Sequence, residues 1–326
     1  MLSSYLSNPI LLGLFLVAGL VLLVKGADWL VDGASKLAKR LGVTDLVIGL
    51  TIVAFGTSMP EFVVNMVSVA DGATDLAITN ILGSNIINTL VILGCSALVC
   101  PLVAKRSTVR LDIPLNIAAG VLVWVFVFIT SPMEPKGLSR VEGLALLVVF
   151  VVFVAFLFYT FYTAKADATT TTESSPFSLW KCVVLILAGL VGLVVGGEMI
   201  VKSAVAIARY CGVAESVIGL TIVALGTSLP ELATSVVAAF KHNNDIAIGN
   251  VVGSNIFNVF FILGTSATIK HLPVYPGIEI DAALVAVSAL AVWLLLCNKN
   301  RSINRWGGVL LLVLYAGYLT YRLLTY

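Results

Sequence analysis

The chain has 326 residues, of which 60% are hydrophobic and 11% charged, and its formal net charge is +2. A soluble domain carries about 25% charged residues, so this composition excludes a water-soluble fold. The sequence contains no basic run that would bind nucleic acid. Its apolar residues come in blocks of about 20, the length at which an α-helix crosses a bilayer. We therefore expect an all-α integral membrane protein.

Ten hydrophobic segments follow one another along the chain, five in each half. Those of the first half span residues 9–31, 46–69, 76–100, 109–130 and 140–163. Those of the second half span residues 180–208, 215–239, 246–269, 278–297 and 306–324. We predict a membrane-spanning helix for each segment. A polar, Thr-rich stretch at 164–178 is predicted to be a linker between the halves.

The two halves are copies of one unit. Residues 48–94 align without gaps with residues 218–264, and 25 of these 47 positions are identical. The match extends in both directions, so the repeats at 1–163 and 179–326 cover nearly the whole chain. An odd number of spans per half makes the second half enter the membrane from the opposite side. The sequence therefore predicts ten transmembrane helices as two inverted five-helix repeats, as in many secondary transporters.

The distribution of lysine and arginine predicts the orientation. One set of loops between the predicted helices holds twelve of these residues, and the other set, together with both termini, holds five. Cytoplasmic loops are the ones enriched in positive charge. We therefore predict a multi-pass protein of the plasma (cell inner) membrane with both termini outside.

A first motif, AFGTSMPE in one half and ALGTSLPE in the other, ends in a glutamate. Glu61 and Glu231 each lie about 15 residues from the start of their predicted helix, deep in the hydrocarbon layer. A carboxylate at that depth costs at least ~2.5–3.5 kcal/mol and is typical of an ion or substrate pathway. The alternative is a protonated or internally paired glutamate that tethers helices.

The residues before each glutamate add oxygen atoms. Ala54, Thr57, Ser58 and Glu61 are spaced so that they share one face of a continuous helix. Pro60 has no N–H, so it frees a backbone carbonyl four residues earlier. The second half repeats this arrangement, so both copies predict a face of hydroxyls, carbonyls and a carboxylate.

A second motif reads GSNIIN in the first half and GSNIFN in the second. Ser84 and Asn88 are four residues apart, as are Ser254 and Asn258, so each pair shares a helix face. The inverted pseudo-symmetry would bring all four motif segments together near the bilayer midplane.

The oxygen-rich motifs favour hard cations. Ca²⁺ takes six to eight oxygen ligands and tolerates irregular geometry, and Na⁺ accepts the same atoms. Without soft or nitrogen ligands, zinc, copper and nickel are disfavoured. One Ca²⁺ or two Na⁺ would neutralise two carboxylates.

Two further pairs of polar residues are related by the repeat. Asp75 and Asp245 precede the third and eighth predicted helices and are predicted to cap their N-termini. Asn80 and Asn250 are predicted to form hydrogen bonds between helices.

The paired GTSxPE and GSNxxN segments resemble the α-repeats of the cation/calcium exchanger superfamily, and most closely the prokaryotic sodium/calcium exchangers of the YrbG-like branch. The resemblance spans essentially the full chain. It implies ten helices around a central site with one calcium position and neighbouring sodium positions. Carried over motif by motif, the implied ligands are Glu61, Ser58, Thr57, the Ala54 carbonyl, Ser84, Asn88, Glu231, Ser228, Thr227, the Ala224 carbonyl, Ser254 and Asn258.

The resemblance implies an antiporter that exchanges Na⁺ for Ca²⁺ by alternating access, with no enzyme activity, no cofactor and no obligatory protein partner. Its partners would be the two ions and the lipid bilayer. Potassium-dependent relatives look Asp-bearing at the position of Asn258, which argues against potassium dependence. A Ca²⁺/H⁺ antiporter on the same fold is the alternative, and a cation channel or a membrane enzyme is a more distant one.

Overall fold

The computed structural model of the chain describes residues 9–130, 136–167, 178–212, 224–275 and 277–325. Long apolar helices make up most of these residues. The first half contains α1 (Pro9–Leu41), α2 (Asp45–Thr57), α3 (Met59–Asp71), α4 (Thr74–Val99), α5 (Thr108–Ile129) and α6 (Arg140–Asp167). The second half contains α7 (Leu179–Tyr210), α8 (Ala224–Thr227), α9 (Leu229–Phe240), α10 (Asn244–Ile269), α11 (Ile278–Leu296) and α12 (Arg305–Thr325).

The described part of the chain has eight helices that are long and apolar enough to cross a membrane. The pair α2 and α3, bent by 44°, brings the number to nine if it is counted as one span. The predicted segment 215–239 lies partly outside the described residues, and α8 and α9 form the part that is described. The fold is therefore that of an all-helical, multi-pass membrane protein.

Several helices are longer than their hydrophobic segments. The first was predicted to end at residue 31 but continues to Leu41, because the residues that follow are mostly good helix formers. The fifth predicted helix, which is α6 in the structure, continues to Asp167, four residues into the stretch predicted as a linker. Hydrophobicity marks where a helix lies in lipid, and the helix itself extends beyond that zone.

The first motif is not on a continuous helix, which corrects the sequence prediction. A break at Ser58 separates α2 from α3, and a break at Ser228 separates α8 from α9. Both serines have nearly the same backbone angles, with φ of −84° and −89° and ψ of 7° and 6°. Pro60 and Pro230 lie in the first turn of α3 and α9, and a proline ring clashes with the carbonyl four residues earlier.

Four strands of two residues each accompany the helices in the described part of the chain. β1 (Leu102–Val103) pairs antiparallel with β4 (Ser302–Ile303), so that Leu102 lies opposite Ile303. β2 (Gly137–Leu138) pairs antiparallel with β3 (Leu272–Pro273), so that Leu138 lies opposite Leu272. Each pair joins a loop of the first half to a loop of the second half.

Helices α1 and α7 pack against each other through glycines. A Cβ atom on Gly26 would lie 2.7 Å from the Leu193 nitrogen, and one on Gly189 would lie 2.6 Å from the Leu30 nitrogen. Only glycine permits such close backbone contact. The outer faces of both helices expose large apolar side chains such as Val17 and Val191, as expected of surfaces that contact lipid.

Helices α4 and α10 form the centre of the protein and are largely enclosed by the others. Both change to a π-helical turn after their GSNI residues, over Ile87–Ile92 in α4 and Phe257–Leu263 in α10. In such turns the backbone hydrogen bonds join residues five apart, and the turns often occur at functional sites. Asn88 and Asn258 lie within these turns.

Candidate ion-binding site

The two glutamates of the first motif lie in the interior of the protein, and neither is accessible to solvent. The Ser58 hydroxyl donates a hydrogen bond of 2.9 Å to Glu231 Oε1. The Ser228 hydroxyl donates one of 3.2 Å to Glu61 Oε1. Because each serine comes from the half that does not contain its acceptor, both halves are needed to hold the carboxylates.

The second motifs of the two halves also meet. The side-chain nitrogen of Asn88 donates to Asn255 Oδ1 at 3.1 Å. The side-chain nitrogen of Asn258 donates to Asn85 Oδ1 at 3.0 Å. These bonds join α4 to α10 at the point where each helix enters its π-helical turn.

Hydrogen bonds between α10 and α2 connect the second half of the chain to the first motif. The Ser254 hydroxyl donates to the Ala54 carbonyl at 3.4 Å, and this carbonyl also accepts from Ser58 N at 3.1 Å. The Thr57 hydroxyl donates to Asn250 Oδ1 at 3.0 Å. The Ala54 carbonyl and the Thr57 hydroxyl, both implied ligands, are therefore bonded within the protein in this structure.

Six of the twelve implied ligand residues place a buried oxygen atom without a hydrogen-bond partner among the described residues. Leaving buried polar atoms unpaired is costly, and native proteins pair more than nine tenths of them. All six are hard oxygens, the type of atom that Ca²⁺ binds. These atoms are Glu61 Oε2, Glu231 Oε2, Ser84 Oγ, Asn88 Oδ1, Thr227 Oγ1 and Asn258 Oδ1.

The charge of the two glutamates is not balanced by a basic side chain in the described part of the chain. Lys241 pairs with Asp28 and with Asp32, the latter at 2.6 Å. Arg322 pairs with Asp281 at 3.3 Å. Since an isolated buried carboxylate is strongly disfavoured, two of them call for a bound cation or for protons.

Ala224, the counterpart of Ala54, is the first residue of α8, and the residues before it lie outside the described part of the chain. Sequence reasoning missed Asn85 and Asn255, which bond the implied amide ligands. The signal was available, because both residues belong to the repeated GSN triplet.

Of the predictions for the two further pairs of polar residues, one is confirmed and one is wrong. Asn80 donates to Asn65 on α3 at 2.9 Å, and Asn250 donates to Ser235 on α9 at 2.9 Å, so the interhelical bonds are confirmed. The capping prediction is wrong. The N-cap position of α4 is Ala73, and Asn243 caps α10 by accepting from the Ile246 nitrogen.

The two aspartates that were predicted to be caps lie inside their helices. Asp75 and Asp245 lie one residue inside their helices, in the first turn, where a negative charge still suits the helix dipole. Asp245 also forms an ion pair with Lys105, which precedes α5. The N-cap lies two residues before each aspartate, at Ala73 and Asn243, because Thr74 and Asn244 are the first helical residues.

The fold and site define a class of protein: a multi-pass helical membrane protein with hard oxygen atoms and two uncompensated carboxylates buried among its helices. The sequence matches the family described as sodium/calcium exchanger protein over residues 11–159 and 181–324, and the chain belongs to this family. The resemblance drawn from the paired motifs is therefore confirmed.

Relatives match along nearly the full chain. CaxA of Alkalimonas amylolytica is 38% identical over 319 residues, which cover 94% of this chain and 96% of CaxA. The inner membrane protein YrbG of Escherichia coli is 34% identical over 309 residues, covering 91% and 92%. The solved structure of the sodium-calcium exchanger NCX_Mj superposes with a TM-score of 0.82 at 30% identity, covering 96% of this chain and 99% of NCX_Mj.

Proposed function

We propose that this protein is a secondary antiporter that exchanges Na⁺ for Ca²⁺ across the cell inner membrane. The observation that carries the proposal is the set of six buried oxygens without a hydrogen-bond partner among the described residues, which includes one from each glutamate. Such oxygens are the ligands that hard cations prefer. One Ca²⁺ or two Na⁺ would cancel the charge of Glu61 and Glu231, so the two ions would compete for one site.

The proposed ligands are the twelve residues that the resemblance implies. Their contacts support this assignment, because hydrogen bonds join the first motif of each half to that of the other, and likewise the second. The hydroxyls of Ser58 and Ser228 point at carboxylates here, so they would turn their oxygen lone pairs towards an ion when it binds.

Transport would proceed by alternating access. Helices α1 and α7, which match each other in the repeat, would move as a pair across the unit that holds the glutamates. Their close backbone contact through Gly26 and Gly189 supports a common movement. An empty site would leave two charges in a medium of low dielectric constant and would resist the transition, which makes the exchange obligatory.

The proposed topology is ten helices in two inverted five-helix repeats, at 1–163 and 179–326, with 164–178 as a linker and both termini outside. It is supported by the matching breaks at Ser58 and Ser228 and by the reciprocal bonds between the halves. Single cysteines placed in the linker and at the C-terminus should react with an impermeant maleimide from opposite sides of the membrane. Labelling of both from one side would exclude this topology.

Sodium is the proposed coupling ion, and H⁺ is the alternative. Asn88 and Asn258 offer amides, which do not titrate, at both second-motif positions. The structures of NCX_Mj come from crystals soaked with Na⁺ and Ca²⁺ or with Na⁺ and Sr²⁺. Similarity to that exchanger over nearly the full chain supports the same pair of ions here.

The test is ⁴⁵Ca²⁺ uptake into proteoliposomes loaded with Na⁺, alongside Na⁺-free vesicles and vesicles with a pH gradient. Glu61→Gln removes one charge of the site with little change in shape. Glu279→Gln is the matched control, because Glu279 is an exposed residue in the first turn of α11. We expect uptake that requires internal Na⁺, that is lost in Glu61→Gln and that persists in Glu279→Gln.

Two other outcomes would change the conclusion in different ways. Uptake driven only by the pH gradient would make H⁺ the coupling ion and leave the site in place. Normal uptake by both Glu61→Gln and Glu231→Gln would show that the site is wrong.

A further inference from the structure

Asn85 and Asn255 are the middle residues of the two GSN triplets, and neither belongs to the proposed ligand set. Both are almost completely buried, with 0% and 1% of their surface exposed. Each side chain uses its oxygen and its nitrogen in hydrogen bonds that cross between α4 and α10. Their role can be read from the direction of those bonds.

The orientation of Asn85 is determined by a backbone group. Its side-chain nitrogen lies 3.2 Å from the carbonyl oxygen of Asn255, which can only accept. Asn85 must therefore turn its own oxygen the other way, towards Asn258 at 3.0 Å. Asn258 must in turn present its nitrogen, so its oxygen is directed away from Asn85.

The orientation of Asn255 is determined through a hydroxyl. Thr89 donates its single proton to the Asn85 carbonyl at 2.8 Å, so its oxygen can only accept from a further partner. Asn255 therefore presents its nitrogen to Thr89, at 2.8 Å, and its oxygen to Asn88, at 3.1 Å. Asn88 must then present its nitrogen to Asn255.

The two chains of bonds have the same result at their ends. The amide groups of Asn88 and Asn258 are each held by the nitrogen, and each leaves its oxygen buried without a partner among the described residues. A planar amide held in this way cannot turn over without placing two oxygens, or two N–H groups, against each other. A reversed amide would present a donor, which repels a cation.

We infer that Asn85 and Asn255 are positioning residues that hold the oxygens of Asn88 and Asn258 towards the transported ions. The inference rests on the proposed function, since it assumes that those two oxygens are ligands. Beyond the proposed function, the inference states that the buried hydrogen-bond network fixes the orientation of the two amides. This orientation places the amide oxygen, which can bind a cation, on the side of the ion.

The test is a double-mutant cycle on the Ca²⁺ concentration that gives half-maximal Na⁺-driven uptake, with Asn85→Ala, Asn258→Ala and the double variant. Since the cost of a misplaced buried polar group is about one order of magnitude in affinity or more, we expect each single variant to raise this concentration roughly tenfold. The double variant should be no worse than Asn258→Ala. Asn80→Ala is the control for lost packing, because Asn80 bonds to Asn65, away from this network.

The possible results separate the inference from the function it rests on. Tenfold effects that multiply in the double variant would show that Asn85 acts independently of Asn258 and would overturn the inference. If Asn258→Ala transports normally, the amide is not a ligand, and both the inference and that part of the site fail. If Asn85→Ala is not obtained as a folded protein, Asn255→Ala with Asn88→Ala forms the same cycle in the other half.

Discussion

The contact between α1 and α7 gives a prediction whose magnitude follows from the geometry. The substitution Gly26→Ala adds one methyl group where the two backbones touch. That carbon would lie 2.7 Å from the Leu193 nitrogen and 2.8 Å from the Gly189 oxygen. Favourable contacts lie near 3.5–4.0 Å, so the helices would have to separate locally by roughly 1 Å.

Gly13→Ala on the same helix is the matched control, because a Cβ atom there meets nothing within 4 Å. Replacing glycine by alanine inside a helix gains about 0.5–1 kcal/mol in either position. That gain cancels when the two variants are compared. What remains is the overpacking cost at Gly26, about 1–3 kcal/mol in the free energy of unfolding.

The assay is thermal unfolding of the purified variants in one detergent, with the midpoints compared at a fixed heating rate because membrane proteins often unfold irreversibly. Gly13→Ala should unfold at or above the wild-type midpoint, and Gly26→Ala should unfold clearly below it. Equal midpoints for the two variants would refute the close packing of α1 on α7.

Three further substitutions test other parts of the molecule. Asn258→Asp adds a third carboxylate to the site, so protons should compete with Ca²⁺ and uptake should fall more steeply towards pH 6 than in the wild type; parallel pH profiles would contradict this. Burial lowers the pKa of Lys241, but its hydrogen bonds to two aspartates of α1 outweigh burial and raise the pKa overall. The ion pairs therefore contribute stability below about pH 10.5, and this stability is lost as the pH rises through the raised pKa. The Lys241→Met variant should unfold at a lower temperature than the wild type, and the two unfolding midpoints should approach each other only above this pH. A difference between the midpoints that does not change with pH would exclude the ion pairs as its cause. Tyr275→Phe removes a hydroxyl that donates to the buried Asp281 at 2.6 Å and should cost about 1–3 kcal/mol in unfolding free energy, whereas unchanged stability would mean that the bond does not contribute.

The sequence predicted the helical class and the site motifs because these depend on composition and repetition. The glutamates of the first motif were recognisable because a carboxylate in an apolar segment is costly. The breaks at Ser58 and Ser228 were not predicted, although Pro60 and Pro230 were noted. A proline frees a carbonyl in any helix, but whether the helix kinks or ends there depends on the neighbouring helices that fill the gap.

The bond network of the second motif could not be predicted for a different reason. Spacing along one helix placed Ser84 and Asn88 on a common face, and it carried no information on what lies across the interface. Asn85 lies on another face of the helix, yet its partner Asn258 is in the other half of the chain.

The exchange of serines between the halves has a consequence for how this site arose. Since Ser58 bonds Glu231 and Ser228 bonds Glu61, a protein with one copy of the unit could have completed such a site only as a pair of identical molecules. With both copies in one chain, each copy can change without the other. The two copies already differ in sequence, at 22 of the 47 positions aligned above. A substitution in one copy therefore changes one face of the site, whereas in a pair of identical molecules it would change both faces.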